Sequence, residues 1–362
     1  MATSPGPDRG SGHTRLGIAT LMIAAFVIGT DFTGALLLVP AIEAELGADI
    51  TTTQWVLNIY ALTFAMFMVT GGRLGDTHDR RQVLLIGLGI FVAASIGCSL
   101  APDVGFLIAC RALQGIGAGL VWPSLIAFGA INAAEDERGF VMGLILAGVT
   151  SGNVIGPLLG GVSASLGDWR LFFVVNVILS AVAALLVFRL LPKQAPQADD
   201  EKVDFAGIAV LSCAILALLF ALDVGADWGW TSPRILGLFA ASLVLFLVFP
   251  LMESRVADPL MPPQLLRNRQ FVVTLWLSAL MVPAFFVAFL YFPQFMQKVL
   301  NWTVLEASFG MIPMMAPLAV GSIIAGNFYQ PVGPKRLLFA GYFLVLLGCA
   351  SLLVLPASWG YF

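Results

Sequence analysis

The chain has 362 residues, of which 59% are hydrophobic and only 11% are Asp, Glu, Lys or Arg, and its formal net charge is −3. So few charges do not cover a water-exposed surface, and the 18 Lys and Arg do not outnumber the 21 Asp and Glu. This composition excludes a soluble enzyme, a disordered chain and a nucleic-acid-binding protein, and it predicts an integral membrane protein whose partner is the lipid bilayer.

The first 15 residues are predicted to form a polar tail, and apolar runs follow to the end of the chain. A helix needs about 20 mostly apolar residues to cross a hydrocarbon layer about 30 Å thick. The first run is too long for a cleaved signal peptide, and the runs do not alternate as barrel strands do. Eleven spanning helices are predicted, at 16–40, 54–72, 82–102, 104–130, 139–167, 171–188, 205–222, 235–252, 270–297, 307–328 and 337–362.

Positively charged residues gather on one side of these spans. Lys and Arg concentrate in cytoplasmic loops. With a cytoplasmic N-terminus, fourteen of them fall on the cytoplasmic side, and only Arg170, Arg234 and Lys298 fall on the other. We therefore expect a multi-pass protein of the cell membrane with its N-terminus in the cytoplasm. Eleven crossings leave Phe362 on the outer side without a polar tail, so we also expect that the chain is cut short.

The four cysteines each lie inside an apolar run, without CxxC or Cys–His spacing. We expect them to be small buried hydrophobic residues, with no disulfide or metal site. The sequence also contains no Walker loop and no Ser–His–Asp set, so no enzyme activity is expected. The four are Cys98, Cys110, Cys213 and Cys349.

Two charged residues, Asp31 and Arg111, lie inside predicted spans. A charge at mid-membrane costs about 2.5–3.5 kcal/mol on insertion scales, so each is a candidate functional residue. Asp31 is predicted to load and release protons; alternatively, it faces outer-leaflet water or bonds to a neighbouring helix. Arg111 stays charged at every accessible pH, so its role, with Gln114 one turn further on, must be electrostatic. The alternative is that Arg111 extends to the outer headgroups.

Glycines recur every four residues along the fifth predicted span. Such a stripe lets two helix backbones approach closely, and a proline beside it bends the helix. A contact that opens and closes during transport fits this pattern, as does ordinary tight packing. The predicted stripe and its neighbours are Gly148, Gly152, Gly156, Pro157, Gly160 and Gly161.

Two cytoplasmic loops have matching glycine spacing, 72–87 and 326–341, with Arg81 opposite Lys335. Internal repeats are typical of secondary transporters. In the first loop, Asp76, Arg80 and Arg81 are predicted to form a charge relay against a neighbouring helix end. The alternative is an ordinary positively charged cytoplasmic loop that contains one acid.

Four motifs resemble those of the major facilitator superfamily. Gly72-RLGDTHDRR resembles its loop signature, and LIACRALQGIGAG, with Arg111 and Gln114, resembles its fourth-helix signature. GNVIGPLLGG, beginning at Gly152, resembles the fifth-helix signature of the exporters. The segment from Asp31 to Pro40 resembles the first-helix signature of the fourteen-helix drug:proton antiporter branch.

The resemblance covers residues 16–362 and departs from the loop signature at Asp79, where Gly is usual, and at Gln330, where the second loop could carry an acid. It implies an all-α major facilitator-type bundle with about 11 of 14 expected helices. The implied domains are a six-helix bundle at 16–191, a linker with two extra helices at 192–255, and an incomplete C-terminal bundle at 256–362.

The function implied by the resemblance is a proton-coupled exporter of hydrophobic or amphipathic small molecules that works by alternating access. The proton gradient would be its energy source, with no cofactor, and a monomer is favoured. Proton coupling is assigned to Asp31, Arg111 and Gln114. The gating loop is assigned to Gly72, Asp76, Arg80 and Arg81.

Two alternatives stay open: an importer or facilitator of a small polar solute, and a truncated membrane protein that does not transport.

Polar and aromatic residues within the spans are candidates for a substrate cavity, although the aromatic ones fit lipid-facing positions equally well. The candidates are Gln54, Asn58, Tyr60, Trp122, Ser124, Asn153, Tyr291, Gln294 and Gln297.

Overall fold

A computed structural model describes residues 11–194, 204–256 and 267–354, and over these ranges the chain is helical apart from short connections. This confirms the all-α fold predicted from the sequence. In chain order the helices are α1 (Ser11–Gly34), α2 (Val39–Leu46), α3 (Ile50–Thr77), α4 (Arg80–Ser99), α5 (Val104–Asn132), α6 (Arg138–Ser165), α7 (Arg170–Leu190), α8 (Phe205–Trp228), α9 (Pro233–Glu253), α10 (Arg269–Lys298), α11 (Val304–Gly310), α12 (Ile312–Val332) and α13 (Pro334–Val354).

Within the described ranges, eight segments are long and apolar enough to cross a membrane: α1 together with α2, and each helix from α3 to α9. They coincide with the first eight predicted spans. The last three predicted spans correspond to α10, to α11 with α12, and to α13. The final eight residues of the last span, 355–362, lie outside the described residues.

The first span is broken, whereas the sequence predicted one continuous helix over 16–40. α1 begins earlier, at Ser11, and ends at Gly34; the turn Ala35–Leu38 then leads into α2. Pro40 stands in the first turn of α2, where its missing N–H leaves no hydrogen bond unmade. The regular α-helical hydrogen bonding is therefore interrupted shortly after Asp31.

Short polar side chains begin several of the helices by accepting a hydrogen bond from a free backbone N–H. At α3, Asp49 accepts from the N–H and hydroxyl of Thr52, which holds the pKa of this carboxyl below its ordinary value. Such caps define where these helices begin. Five others are Asp79 at α4, Asp103 at α5, Asp204 at α8, Ser232 at α9 and Asn268 at α10.

Helices α1 to α7 pack into one bundle: α3 and α4 lie against α5, α1 lies against α6, and α7 lies against α4 and α1. One buried apolar cluster joins α1, α4 and α5 through residues such as Leu21, Leu88 and Val121. A second cluster surrounds Trp169 and Phe172 at the start of α7. The bundle thus encloses the middle of α1 on several sides.

Helices α8 and α9 form a pair that packs on α3. The Ser212 hydroxyl of α8 donates to the Met66 carbonyl of α3 at 3.2 Å, and Ser242 of α9 donates to the Ala214 carbonyl of α8 at 2.9 Å. α8 runs to Trp228, beyond its predicted end at residue 222. The helix therefore contains two acids that the predicted span left out, Asp223 and Asp227.

The prediction that the cysteines are buried holds for Cys98 and Cys110 but is wrong for Cys213, which lies exposed on α8. An apolar run in a membrane helix does not guarantee burial, because lipid is as apolar as a protein core. The side chain of Cys349 lies outside the described residues.

Candidate functional site

The two charged residues predicted within the membrane form an ion pair. Asp31 of α1 and Arg111 of α5 are 80 residues apart in the chain, and Nη1 of Arg111 donates to Oδ2 of Asp31 at 2.7 Å. Their exposed fractions are 0% and 1%. Neither side chain is exposed, so outer-leaflet water for Asp31 and headgroups for Arg111 are wrong for this structure. The other alternative for Asp31, a bond to a neighbouring helix, is what the structure shows.

Arg111 is bound through two of its guanidinium nitrogens, Nη1 and Nε. Besides Asp31, Nη1 donates to Oε1 of Gln114 at 2.8 Å, and Nε donates to the Val56 carbonyl of α3 at 3.0 Å. The guanidinium carbon lies 4.3 Å from the centre of the Tyr60 ring. A planar fork with several donors that stacks on an aromatic ring is a geometry that Lys does not reproduce.

Gln114 links the pair to α4. Its Nε2 donates to the Ser95 hydroxyl at 2.7 Å and lies 3.5 Å from Oδ1 of Asp31. The Cys98 thiol donates to its Oε1 at 3.4 Å. Since Ser95 and Gln114 are fully buried, α1, α4 and α5 meet in one polar network shielded from solvent.

Asn176 of α7 completes the network, and the sequence analysis did not single it out. Its Nδ2 donates to Oδ1 of Asp31 at 2.8 Å, and its exposed fraction is 0%. The available signal was an amide in the middle of the otherwise apolar run LFFVVNVIL. Asp31 is therefore bound from α5 by Arg111 and from α7 by Asn176.

The glycine stripe of α6 lies directly against α1. A β-carbon on Gly148 would lie 2.6 Å from the Met22 carbonyl oxygen, and one on Gly152 would lie 2.8 Å from the backbone nitrogen of Thr30. Gly156 and Gly160 make similarly close backbone contacts, and Pro157 and Gly161 are buried in the same helix. Side chains are therefore excluded along this whole contact.

A second close contact joins α6 to α12. A β-carbon on Gly143 would lie 2.7 Å from the Ser322 carbonyl oxygen, and one on Gly326 would lie 2.7 Å from the Gly139 carbonyl oxygen. Gly326 begins the second of the two repeated loops. One helix, α6, therefore packs backbone to backbone on both α1 and a later part of the chain.

The predicted gating loop contains an ion pair between Oδ1 of Asp76 and Nη2 of Arg80 at 2.7 Å, with Arg80 buried. Arg81 donates to the Phe188 carbonyl at the end of α7. Asp79, which departs from the family signature, caps α4 and accepts from the backbone N–H of Gln194 at 3.0 Å. The loop is thus attached to α7 and to the segment after it.

Around this loop, Gly72 lies near Pro123 of α5. In the second loop Gln330 donates to the Glu135 carbonyl at 3.2 Å, while Lys335 is exposed. The two repeated loops thus have the same place in the topology but different contacts.

The candidate cavity residues whose side chains are described differ in exposure and in partners. Gln54 is exposed, Trp122 packs on the apolar cluster of α1, α4 and α5, and the Asn153 carbonyl accepts from the Thr33 hydroxyl. Tyr60 and Ser124 are buried. Three further candidates have side chains outside the described residues: Tyr291, Gln294 and Gln297.

Asn58 of α3 bonds to a further acid, Asp223 of α8, which lies just past the end of the predicted span 205–222. Its Nδ2 donates to Oδ1 of Asp223 at 2.6 Å across the contact of α3 with α8. One turn away in both helices, the rings of Trp55 and Phe220 lie 5.6 Å apart. Asp31 is the only Asp or Glu within the predicted spans, and Asp223 joins it as an acid of a spanning helix because α8 extends past residue 222.

The family model described as Major Facilitator Superfamily matches residues 21–362. The "Multidrug transporter protein MdtP" of Bacillus subtilis is 33% identical over 91% of this chain and 62% of its own length. The "Tetracenomycin C resistance and export protein" of Streptomyces glaucescens is 28% identical over 92% of this chain and 62% of its own. The chain therefore spans less than two thirds of the length of these relatives.

Among solved structures, a crystal structure of the peptide transporter POT in complex with sulfate is similar to this fold. The TM-score is 0.58 at 16% identity, over 87% of this chain and 70% of that one. At this identity the likeness concerns the fold alone.

Proposed function

Because the chain belongs to the Major Facilitator Superfamily, we propose that it is a proton-coupled exporter of hydrophobic or amphipathic small molecules, of the drug-efflux type. The names of its relatives, which denote multidrug transport and antibiotic resistance or export, support the substrate class. The proposed protein is a monomer in the cell membrane with a cytoplasmic N-terminus, and the proton gradient drives it without a cofactor.

The observation that carries this proposal is the position of Asp31 between two interfaces of α1. Its carboxylate binds Arg111, while the backbone of the preceding residue, Thr30, touches the glycine stripe of α6. A titratable acid thus lies next to a helix contact that is free of side chains. Such a contact is able to slide or separate without removing packed side chains from one another.

Protonation of Asp31 would cancel the negative charge that Arg111 faces. A buried cation without its counter-ion is strongly unfavourable, so proton uptake is coupled to a rearrangement of Arg111 or of the helices around it. Because α1 lies against α6, this rearrangement passes to the glycine contact. In the proposed cycle the α1–α6 contact adjusts as access alternates between the two membrane faces.

The experiment is a flux measurement with the full-length protein in proteoliposomes. We expect a lipophilic fluorescent cation to accumulate only when a pH gradient is imposed, and an uncoupler to abolish the accumulation. Liposomes without protein provide the control for passive entry of the dye. Equal accumulation with and without the gradient would contradict proton coupling, and gradient-driven uptake of small polar solutes instead of the dye would favour the importer alternative.

A further inference from the structure

Asn176 leaves one half of its amide without a hydrogen-bond partner in the described part of the chain. Nδ2 donates to Oδ1 of Asp31 at 2.8 Å, whereas its own Oδ1 is buried and makes no hydrogen bond there. Buried polar atoms in proteins are nearly always paired, so an acceptor without a partner beside a titratable carboxylate needs an explanation.

In the arrangement observed here, a proton on Asp31 faces hydrogen-bond donors rather than acceptors. Oδ2 accepts from the positively charged Arg111, which favours negative charge on that oxygen, so we place the proton on Oδ1. This oxygen faces two amide donors, Nδ2 of Asn176 and, at 3.5 Å, Nε2 of Gln114. An ionised carboxylate only accepts hydrogen bonds, but a carboxylic acid also donates one. The protonated form therefore requires that one of these amides present its oxygen.

Gln114 is not free to do so. Its Oε1 accepts from Arg111 at 2.8 Å and its Nε2 donates to Ser95 at 2.7 Å, so a half-turn of this amide would break both bonds. Asn176 loses only its bond to Asp31. The terminal torsion of an Asn side chain is broad and roughly two-fold, so a half-turn exchanges donor and acceptor.

The other ionisable groups around Asp31 do not supply the acceptor. Arg111 of α5 is a permanent donor, and the Cys98 thiol of α4 points to Gln114. Tyr60 of α3 stacks on Arg111, and within the described residues its hydroxyl makes no bond to Asp31. The residues of α6 that contact α1 are glycines, and the residue of α7 that bonds to Asp31 is Asn176 itself.

We propose that Asn176 is a positioning residue that holds Asp31 in both protonation states, donating to the carboxylate and, after a half-turn of its amide, accepting from the carboxylic acid. This inference rests on the proposed proton coupling and names the residue that permits it. The competing interpretation is a static link between α1 and α7, in which the amide keeps one orientation.

Infrared difference spectra of the full-length protein, taken between neutral and acidic pH with isotope-labelled asparagine, separate the two interpretations. We expect a carboxylic-acid C=O band that is absent in Asp31→Asn, together with a shift of an asparagine amide band as that acid forms. In Asn176→Leu the amide shift should vanish, and the acid band should move to higher frequency because its O–H has lost an acceptor.

Ser180→Ala is the matched control, because Ser180 is fully buried one turn along α7 and its hydroxyl donates to backbone carbonyls of Asn176 and Val177. It should keep both bands. An acid band that titrates while the asparagine band stays constant overturns the inference but leaves the proton coupling intact. The absence of any Asp31 band overturns both. If Asn176→Leu does not fold, the wild-type and Asp31→Asn spectra still decide the question.

Discussion

Gly156 of α6 and Thr30 of α1 are in backbone contact: a β-carbon on Gly156 would lie 2.5 Å from the Thr30 carbonyl oxygen. The next residue of α1, Asp31, points away to Arg111 of α5. Two consecutive residues of one helix thus connect a side-chain-free interface with a buried ion pair. The two contacts are therefore only one residue apart on α1.

The first prediction is that Gly156→Leu abolishes transport while the protein still inserts into the membrane. The new side chain would meet backbone atoms of α1, which do not move aside easily; overpacking of this kind typically costs about 1–3 kcal/mol. Flux in proteoliposomes and the amount of protein in the membrane fraction are the two measurements. Gly89→Leu is the control, since a β-carbon on Gly89 meets nothing within 4 Å. If Gly156→Leu exports at the wild-type rate, the glycine stripe serves only for packing and has no role in transport.

The second prediction concerns Asp31→Asn, which keeps the size and hydrogen bonding of the side chain but does not titrate. Insertion and substrate binding should persist, whereas accumulation driven by a pH gradient should be lost. Asp223→Asn is the comparison, because this acid also lies in a spanning helix but bonds to Asn58 rather than to Arg111. If the gradient dependence survives in Asp31→Asn and disappears in Asp223→Asn, the proton site is at α8. Loss of binding with retained proton flux would instead make Asp31 a partner for a substrate cation.

The third prediction is that Arg111→Leu destabilises the protein strongly, because it leaves Asp31 charged and unpaired in a buried position. Removing one partner of a buried pair costs about 3–5 kcal/mol. Thermal unfolding in detergent should show a large decrease in midpoint, and Arg111→Lys should also lose transport because Lys lacks the planar fork.

Two further variants test this explanation of the loss. The double variant Asp31→Leu/Arg111→Leu should recover much of the stability but none of the transport. Arg170→Lys should have little effect on either, since the pair of Arg170 with Glu45 is partly exposed. An Arg111→Leu protein as stable as the wild type would contradict the importance of the ion pair.

The fourth prediction is the orientation in the membrane, which rests on the distribution of Lys and Arg. In a cysteine-free background, Arg336→Cys should resist a membrane-impermeant thiol reagent on intact cells and react after the cells are opened. Thr231→Cys, in the exposed turn between α8 and α9, should react on intact cells. The opposite pattern would reverse the predicted topology.

Hydropathy and charge by themselves determined the spanning segments, most of them within a few residues of the helices observed. This was possible because each membrane crossing requires a long apolar run and each buried charge is costly. Both features are therefore visible in the local amino-acid composition. For the same reason Asp31, Arg111 and the four-residue glycine spacing were recognisable without any structure. The predicted bounds differed from the observed helices at two places. Pro40 lies in the first turn of a separate helix, α2, and α8 continues past Asp223 to Trp228.

Only the tertiary structure decided which of these features meet. Asp31 and Arg111 are 80 residues apart in the chain, and Asp31 and Asn176 are 145 apart. The rotation of each helix about its axis, which brings them together, is set by packing against the other helices. It also turned Cys213 outward, since lipid and protein interior are equally apolar and hydropathy does not distinguish them. Local sequence therefore identifies a membrane helix, whereas contacts between distant helices determine what each of its faces touches.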